Sequence, residues 1–539
     1  MILSSLNNQS KTVTGAALII ATATLASRFV GLIRDRILAH YYGAGPVMDA
    51  YYAAFKVPDL VYTLLIVGAL TAGFIPIFTK LFFQGEDKTP AWRLANNIFN
   101  IAGAALIILC SIGIILSKHI VPIVAPGFSG DNQHLAIAFT RIMFLSPLLL
   151  GLSMTLGGVL QSLRRFVLYS IAPIFYNLGI IIGVSVFAKF IGPTGVAWGV
   201  VFGAAMHLAL MAIGAYNSGW KWSWVFDLKD AGTRTVGKLM LPRTVGVAVS
   251  EINILITTML ASLLPIGSVA VYNYAANLQA VPTGIIGIPF ALAVFPVLSA
   301  AAARNDMADF TKNLSSTIGK ILFLIIPLSI ILLLLRAQIV RVILGTGQFD
   351  WTATTNTANA LAFFAFGLFA QSLVPLFARA FFSLSDTKTP LAIGAFSEII
   401  AIGSALILMR SLGVAGLALA SSIGAIINAS LLAVFLRVQI PTFNGAKIIA
   451  SLLKISAAAI IMAVVVQILK YPLNKIFNLD YFWGVFGQGV IAGVVGLVVY
   501  AGICWLLKVP ELTEIKQSFA RRWFRARSVG ATDIIDSKE

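Results

Sequence analysis

Long apolar runs recur from one end of this chain to the other, and each is long enough to cross a bilayer. A hydrocarbon core roughly 30 Å thick requires about 20 apolar residues in a helix. Because hydrocarbon holds no water for backbone polar groups, spanning segments must be helices or strands of a closed barrel. Barrel strands would alternate polar and apolar residues, and these runs do not. The pattern predicts an all-α integral membrane protein with about fourteen transmembrane helices, near residues 15–39, 48–80, 94–117, 135–163, 166–188, 193–217, 239–264, 267–302, 315–344, 353–382, 389–409, 413–436, 448–469 and 482–507.

The composition agrees with that pattern. The chain has 539 residues, of which 59% are hydrophobic and only 11% are charged, and its mean hydropathy is +0.93. A soluble domain carries about 25% charged residues. The polar segments between the predicted helices are short, which leaves no room for a soluble catalytic domain. Cys110 and Cys504 both fall within apolar helices, where packing is their simplest role.

The net charge of +18 is explained by where the basic residues lie. They concentrate on alternate loops and on the segment after the last helix, and include Lys80, Lys88, Arg93, Arg164, Arg165, Lys221, Lys229, Arg304, Lys388, Arg437 and the tail from Arg521 to Arg527. The intervening loops hold little beyond Lys118, Lys189, Arg410, Lys470 and Lys475. By the positive-inside rule, the basic side and both termini face the cytoplasm. The charge therefore indicates topology and not nucleic-acid binding.

A weak internal repeat appears at a shift of about 221 residues. Tyr52-Ala53-Ala54 matches Tyr274-Ala275-Ala276, and Gly192 matches Gly413. An offset that stays nearly constant across several helix pairs indicates duplication, and repeats of six helices have the same orientation in the membrane. We therefore predict two six-helix lobes around a central cavity that opens to each side in turn.

The predicted organisation has six parts. Residues 1–14 are a cytoplasmic N-terminus, 15–217 the N-lobe with helices one to six, 218–238 a cytoplasmic linker, 239–436 the C-lobe with helices seven to twelve, 437–507 two additional helices, and 508–539 a basic cytoplasmic tail.

The first two predicted helices carry charges that are unusual inside a membrane. A charge at the centre of a membrane helix is unfavourable by roughly 2.5–3.5 kcal/mol on insertion scales, so it usually faces a cavity or a partner. Arg28 lies near the middle of the first helix and Arg34 follows it, which predicts a cavity that receives an anionic headgroup. Charge partners are predicted at Asp35, Asp49, Lys56 and Asp59. The alternative is that Arg34 and its charged neighbours extend to the interface or pair with one another.

Other residues are candidates for binding a coupling ion or for bending the helices. Glu251 and Glu398 lie in apolar runs, where a carboxylate can bind a coupling proton or sodium ion, pair with a cation such as Arg243, or remain protonated at a helix contact. His207 is alone and is interpreted as a packing residue. Pro58, Pro282 and Gly284 are candidate hinges.

Catalytic and cofactor motifs are missing from the sequence. The four histidines have no metal-ligand spacing, and no phosphate-binding loop ends in Gly-Lys-Ser/Thr. We therefore expect a transporter without cofactor or ATPase activity, driven by the membrane potential, a proton or sodium gradient, or consumption of the product.

Specific motifs then resemble those of one family. They are Ala26-Ser27-Arg28, Gly31, Arg34-Asp35, Gly43-Ala44-Gly45, Asp49-Ala50, Ala54-Phe55-Lys56-Val57-Pro58-Asp59, Gly68-Ala69, Phe74-Ile75-Pro76, Ala125-Pro126-Gly127-Phe128, Gly347-Gln348-Phe349 and Asp386-Thr387-Lys388-Thr389-Pro390. Over about residues 10–505 the chain resembles the MurJ (MviN) family of lipid II flippases, within the superfamily of multidrug, oligosaccharidyl-lipid and polysaccharide exporters.

The resemblance implies a substrate and its ligands. The substrate would be undecaprenyl diphosphate carrying a disaccharide-pentapeptide, flipped across the bacterial cytoplasmic membrane for cell wall synthesis. The headgroup ligands would be Arg28 and Arg34, with Ser27 beside them. This chain departs from the family pattern at Tyr62 and Asn277, where many relatives have arginine, and at Val67, where glutamate is frequent. The cavity is therefore less cationic than in those relatives.

Three alternatives stay open at this point. The chain could export another polyprenyl-diphosphate-linked oligosaccharide, or cationic drugs, although Arg28 argues against a cationic substrate. A membrane enzyme acting on polyprenyl phosphates would need a cluster of acids or histidines at a membrane face, and the sequence has none. A scaffold that recruits cell-wall synthesis enzymes would not need Arg28.

Overall fold

The computed structural model describes residues 13–67, 73–440 and 445–514, and all regular secondary structure in these ranges is helical. The predicted all-α fold is thus confirmed. The helices are α1 Val13–Tyr42, α2 Pro46–Tyr62, α3 Ile75–Gln84, α4 Thr89–Val124, α5 Gly130–Met143, α6 Leu145–Ser162, α7 Phe166–Ile182, α8 Ala188–Ile191, α9 Thr194–Tyr216, α10 Ala231–Ser262, α11 Ser268–Pro282, α12 Ile288–Ala303, α13 Met307–Leu334, α14 Arg336–Ile343, α15 Trp351–Ser383, α16 Lys388–Leu412, α17 Val414–Gln439, α18 Gly445–Ile476 and α19 Phe482–Leu506. The tail from Arg521 to Arg527, most of the predicted N-terminus and the motif Gly68-Ala69 lie outside the described residues.

Eleven helical segments in the described residues are long and apolar enough to span a membrane. They establish a multi-pass membrane protein, while the count of fourteen remains a prediction. Two predicted helices are each divided in the structure. Residues 135–163 form α5 and α6, which meet at Phe144, and residues 315–344 form α13 and α14, which meet at Leu335. Arg336 donates from Nη1 to the carbonyl of Leu333 at 2.9 Å, which satisfies a carbonyl at the end of α13.

The described residues include three wider, π-helical turns within membrane helices. One of them, Gly183–Phe187, continues α7, and the other two follow a proline more closely. One turn, Thr63–Val67, follows α2 and its Pro58. The other, Thr283–Gly287, begins directly after Pro282 and contains Gly284. The two turns start 220 residues apart (283 − 63 = 220), close to the offset of the sequence repeat. Such turns often mark functional positions in helices, so all three hinge candidates lie at or near a local irregularity.

The chain divides into two compact units. The first consists of Met1–Tyr274, Ile343–Asn356 and Ala405–Leu417, and the second of Ala275–Val342, Thr357–Ser404 and Ala418–Glu539. In the first unit, α7 and the π-helical turn that continues it meet α9 through two pairs of glycines, Gly179 with Gly203 and Gly183 with Gly199. Each pair brings backbone against backbone, so even a methyl group at these positions would collide with the facing helix. Small residues four apart allow such close approach of membrane helices.

The second unit is organised around α18, which packs against α13 and α19. Its buried core includes Ile455, Met462 and Val466. Tyr500 on α19 is buried and donates from its hydroxyl to the carbonyl of Phe323 at 2.8 Å. The predicted division into lobes and additional helices remains a prediction.

One motif of the sequence resemblance has a local structural role. Asp386 precedes α16, and its Oδ1 accepts hydrogen bonds from the backbone N–H groups of Lys388 and Thr389, both at 3.0 Å. The hydrogen bonds to Thr389 lower the pKa of Asp386. Pro390 then fits the first turn of the helix, where no backbone N–H is required.

Candidate functional site

A cavity of about 460 Å³ lies in the first unit among α1, α6, α7 and α9. Four residues of α1 line it at positions i, i+4, i+7 and i+8, which is one face of a helix. The complete lining is Ile20, Thr24, Ser27, Arg28, Met154, Tyr169, Ser170, Pro173 and His207. Two predicted headgroup ligands, Ser27 and Arg28, therefore face the same space.

Arg28 is half-buried. Among the described residues, its buried Nε has no hydrogen-bond partner, and the same holds for the buried hydroxyl of Ser170 in this cavity. A buried polar group without a partner is unfavourable by about 1–3 kcal/mol, and by more when the group is charged. The cavity thus holds two groups with unused capacity to bind a polar ligand.

His207 forms part of the cavity wall and is itself fixed. It is buried, and its Nδ1 lies 2.6 Å from the hydroxyl oxygen of Ser153. The sequence predicted a packing histidine, and it gave no sign that His207 borders the cavity. Tyr169 and Ser170 were not selected either, although Pro173 one turn later on α7 is a signal of a helix face with a special role.

Arg34 is engaged in a polar cluster. Its Nη2 lies 2.7 Å and its Nε 3.0 Å from Oδ1 of the buried Asp35, and its Nη1 donates to Oδ1 of Asn177 at 2.9 Å. The buried Tyr51 and Tyr52 lie within electrostatic range. Asp35 thus compensates the charge of Arg34. Asn177 comes from α7, and its own amide donates to the carbonyl of Pro173 at 3.0 Å.

A third cluster surrounds Lys56. Its Nζ donates to Oδ1 of Asn273 at 3.1 Å, and Asp59 and Glu251 lie within electrostatic range. Glu251 is also hydrogen bonded to the side chain of Thr63 in the π-helical turn. One cation and two carboxylates are thus brought together from α2 and α10. The side chain of Arg243, the other predicted partner of Glu251, is outside the described part.

Asp49 lies apart from these clusters. It is buried, and it accepts hydrogen bonds from the backbone N–H groups of Gly267 at 2.6 Å and Ala270 at 2.8 Å. These N–H groups belong to the first turn of α11 and to the residue before it. Gly267 has a φ of +94° and its α-carbon faces the carbonyl of Ala44, so glycine is required there.

The remaining predicted residues are placed as follows. Glu398 is a half-buried residue of α16 in the second unit. Tyr62 packs against the buried core of the first unit, and Asn277 is half-buried on α11. Within the described residues, no three His, Cys, Asp or Glu side chains are close enough to hold a metal ion.

Comparisons with known proteins agree with one another. Residues 38–487 match the family described as "Lipid II flippase MurJ". The "Probable lipid II flippase MurJ" of Rickettsia prowazekii is 27% identical over 500 residues, covering 92% of this chain and 97% of that protein. The "Lipid II flippase MurJ" of Burkholderia cenocepacia is 30% identical over 435 residues, covering 78% and 83%.

Solved structures share the fold. The structure of "Lipid II flippase MurJ, inward closed conformation" matches with a TM-score of 0.76 and 22% identity, covering 90% of this chain and 99% of that one. An inward-facing multidrug transporter of the MATE family matches with a TM-score of 0.61 and 17% identity, covering 79% and 99%.

Proposed function

The chain belongs to the lipid II flippase MurJ family, and from this premise we propose that Arg28 and Ser27 bind the diphosphate of lipid II as it crosses the membrane. The family resemblance of the sequence is confirmed. The protein is a multi-pass membrane transporter that flips lipid II for cell wall synthesis, and it is not an ATPase. Its partners are lipid II and the membrane lipids. Association with cell-wall synthesis enzymes stays a prediction.

The observation that supports this site is the free Nε of Arg28 inside a cavity. A guanidinium group binds phosphate oxygens through two parallel hydrogen bonds and does not lose its proton. The hydroxyls of Ser27 and Ser170 line the same space and can donate to further oxygens. The cavity of about 460 Å³ is of the size that holds a small polar group, so we assign it to the diphosphate and not to the whole headgroup.

Arg34 has a different proposed part. Its Nε, Nη1 and Nη2 are already hydrogen bonded to Asp35 and Asn177. These bonds use three of the five N–H donors of the guanidinium, so Arg34 has less capacity left for a phosphate than Arg28 has. We propose that Arg28 engages the diphosphate first and that Arg34 exchanges partners during the transport cycle, with Asp35 keeping it in place until then.

The transport cycle is proposed to be alternating access. The headgroup enters from the cytoplasmic leaflet while the polyprenyl chain stays in lipid, and the two predicted lobes then expose the headgroup outside. Charge-assisted contacts drive closure only if they are stronger in the closed state than in the open one. Bending is assigned to Pro58, Pro282 and Gly284, because helices at π-helical turns lack regular hydrogen bonding. Both termini are proposed to be cytoplasmic.

Complementation tests the function directly. In a bacterial host whose own lipid II flippase is depleted, we expect this chain to restore growth and cell shape. The measurement compares growth with the amount of the chain in the membrane, and accumulation of lipid II in the cytoplasmic leaflet is followed in parallel. Growth failure at full membrane abundance, with lipid II still accumulating, would instead favour another polyprenyl-linked glycan as the substrate.

Coupling is assigned to the carboxylates in the membrane. Because Glu251 lies beside Lys56 and Asp59, its charge can change the local cation affinity. We expect Glu251→Gln to slow lipid II flipping in proteoliposomes several-fold and to abolish its response to an imposed sodium or proton gradient. Glu398→Gln tests the second predicted site in the same way. Glu86→Gln, in the exposed loop before α4, is the control and should change neither rate nor response. An unchanged gradient response in both carboxamide variants would exclude these two coupling sites.

A further inference from the structure

The segment that joins α9 to α10 has an unusual row of exposed apolar side chains. Residues 221–227 are extended, with neither helix nor turn. Trp222, Trp224, Phe226 and Leu228 are exposed to 58%, 73%, 50% and 60%. Alternate side chains of an extended chain point to the same side, and the rings of Trp222 and Trp224 lie 6.2 Å apart. Trp222, Trp224 and Phe226 therefore form one apolar row, with Leu228 in the turn that follows. Contact between such a row and water is unfavourable, so we expect an apolar partner to cover it.

Three asparagines of α4 hold this segment in place. Asn96 Nδ2 donates to the carbonyl of Lys221 at 3.0 Å, and Asn97 Nδ2 donates to the carbonyl of Asp227 at 2.7 Å. Asn100 Nδ2 donates to the carbonyls of Ser223 at 3.0 Å and Val225 at 2.9 Å.

The same asparagines also accept hydrogen bonds. The N–H groups of Ser223 and Asp227 donate to the side-chain oxygens of Asn96 and Asn97. The three carboxamides therefore take the place of a neighbouring β-strand. They fix the odd-numbered residues to α4. The Nε1–H of Trp222 also donates to Oδ1 of Asn100 at 3.1 Å, so this indole is anchored to α4 although much of it stays exposed, while Trp224 and Phe226 are exposed beside it.

The depth of the segment follows from α4. The apolar stretch of this helix runs from Ile98 to Ser117, so its middle lies near Ile108. Asn97 is eleven residues before Ile108, which at 1.5 Å per residue is about 16 Å along the axis. Half the hydrocarbon thickness is about 15 Å. The segment is thus held where hydrocarbon gives way to headgroups, the level at which tryptophan is enriched.

Cationic groups lie beside the row. A cavity of about 680 Å³ is lined by Arg93 and Lys221, by the hydroxyls of Thr89 and Ser223, and by Trp222 and Trp224. Arg93 is 62% exposed at its side chain, and its one ion pair within the described ranges is a long contact of 3.5 Å with Asp227. Two cations and two hydroxyls beside indole rings match a phosphodiester attached to acyl chains. A protein partner would not require cations, hydroxyls and indole rings together at the depth of the lipid headgroups.

We propose that residues 221–228 and Arg93 form an anionic-phospholipid site on the side of the membrane that carries the basic loops. The phosphate of one phosphatidylglycerol-type lipid binds Arg93 and Lys221, and its acyl chains lie against Trp222, Trp224 and Phe226. Trp220, which is buried in the core of the first unit, anchors the start of the segment. The site is separate from the cavity that contains Arg28, because none of its lining residues is shared.

Native mass spectrometry of the full-length protein tests this proposal. The protein is purified in mild detergent and titrated separately with phosphatidylglycerol and with phosphatidylcholine. We expect wild type to retain one phosphatidylglycerol at least 5-fold more strongly than phosphatidylcholine. The variants Arg93→Ala/Lys221→Ala and Trp224→Ala should each reduce that retention several-fold without changing the unfolding temperature. No hydrogen bond involves the side chain of Trp224 among the described residues, so this variant should fold normally.

Trp483→Ala is the matched control. Trp483 is 74% exposed, against 73% for Trp224, but it lies at the start of α19 next to a predicted loop with few basic residues. Its replacement should leave phosphatidylglycerol retention unchanged. Equal loss in Trp483→Ala, or equal retention of the two lipids by wild type, would overturn the proposal. Displacement of the lipid by millimolar inorganic phosphate would also overturn it, because the pocket would then be a simple anion site.

Discussion

Replacing Arg28 by alanine abolishes rescue of a host depleted of its lipid II flippase, although the variant reaches the membrane at the wild-type level. Hydrogen bonds to charged groups contribute about 1.5–3 kcal/mol, which at 1.36 kcal/mol per factor of ten is about a 10- to 100-fold loss of flipping rate. Folding should survive, because the Nε of Arg28 has no partner among the described residues and its removal leaves none unsatisfied. Growth and lipid II accumulation are measured at matched membrane abundance.

Two further variants make this result specific. Arg28→Lys keeps the charge but lacks the planar fork, so we expect partial rescue. Arg304→Ala removes an arginine whose side chain is 65% exposed in an ion pair with Asp309, and it should rescue fully. If Arg28→Ala rescued as well as wild type, the diphosphate would bind elsewhere, and Arg34 would become the principal candidate.

Replacing Asp49 by alanine lowers the free energy of unfolding by about 3–5 kcal/mol, because two charge-assisted hydrogen bonds are lost and two N–H groups are left buried. Asp49 is 2% exposed and accepts from Gly267 and Ala270 at the start of α11. Asp49→Asn keeps one acceptor oxygen and should lose about half as much. The measurement is thermal unfolding of the purified protein in detergent, together with its membrane abundance.

Asp350 provides a matched comparison. It is also a carboxylate at the start of a helix, and its Oδ1 accepts from the N–H of Ala353 at 2.7 Å, but it is exposed. Asp350→Ala should therefore lower the free energy of unfolding by only about 1 kcal/mol. An Asp49→Ala protein that unfolds like wild type but does not transport would contradict the capping role and favour the cavity role predicted from the sequence.

The fold class was within reach of sequence reasoning, because it depends on local hydropathy. Apolar runs predicted the helices, Arg28 was selected as a charge near the middle of the first helix, and Ser27 was added by the family resemblance. The division of residues 135–163 and of residues 315–344 into two helices each was not accessible, because apolar residues lie on both sides of Phe144 and of Leu335 and hydropathy does not report where one helix ends and the next begins.

The partners of the charged residues were harder to predict. Arg34 meets Asn177, which is 143 residues away, and Asp49 meets Gly267, which is 218 residues away. Such pairs are set by helix packing, which one sequence does not reveal. The asparagines of α4 were overlooked for a related reason. In the sequence, nothing distinguishes Asn96, Asn97 and Asn100 from ordinary polar residues near the start of a helix. Their role is evident only from their hydrogen bonds to the extended segment.

The paired glycines between α7 and α9 restrict how this transporter can diverge. There is no space for a larger residue at Gly179, Gly183, Gly199 or Gly203, so substitutions at this helix contact should not be tolerated. Ile20, Thr24 and Met154 line the same cavity without that constraint. New substrate preferences should therefore arise through substitutions on α1 and α6. A mutant library designed to change the accepted glycan would vary those two helices and keep the four glycines.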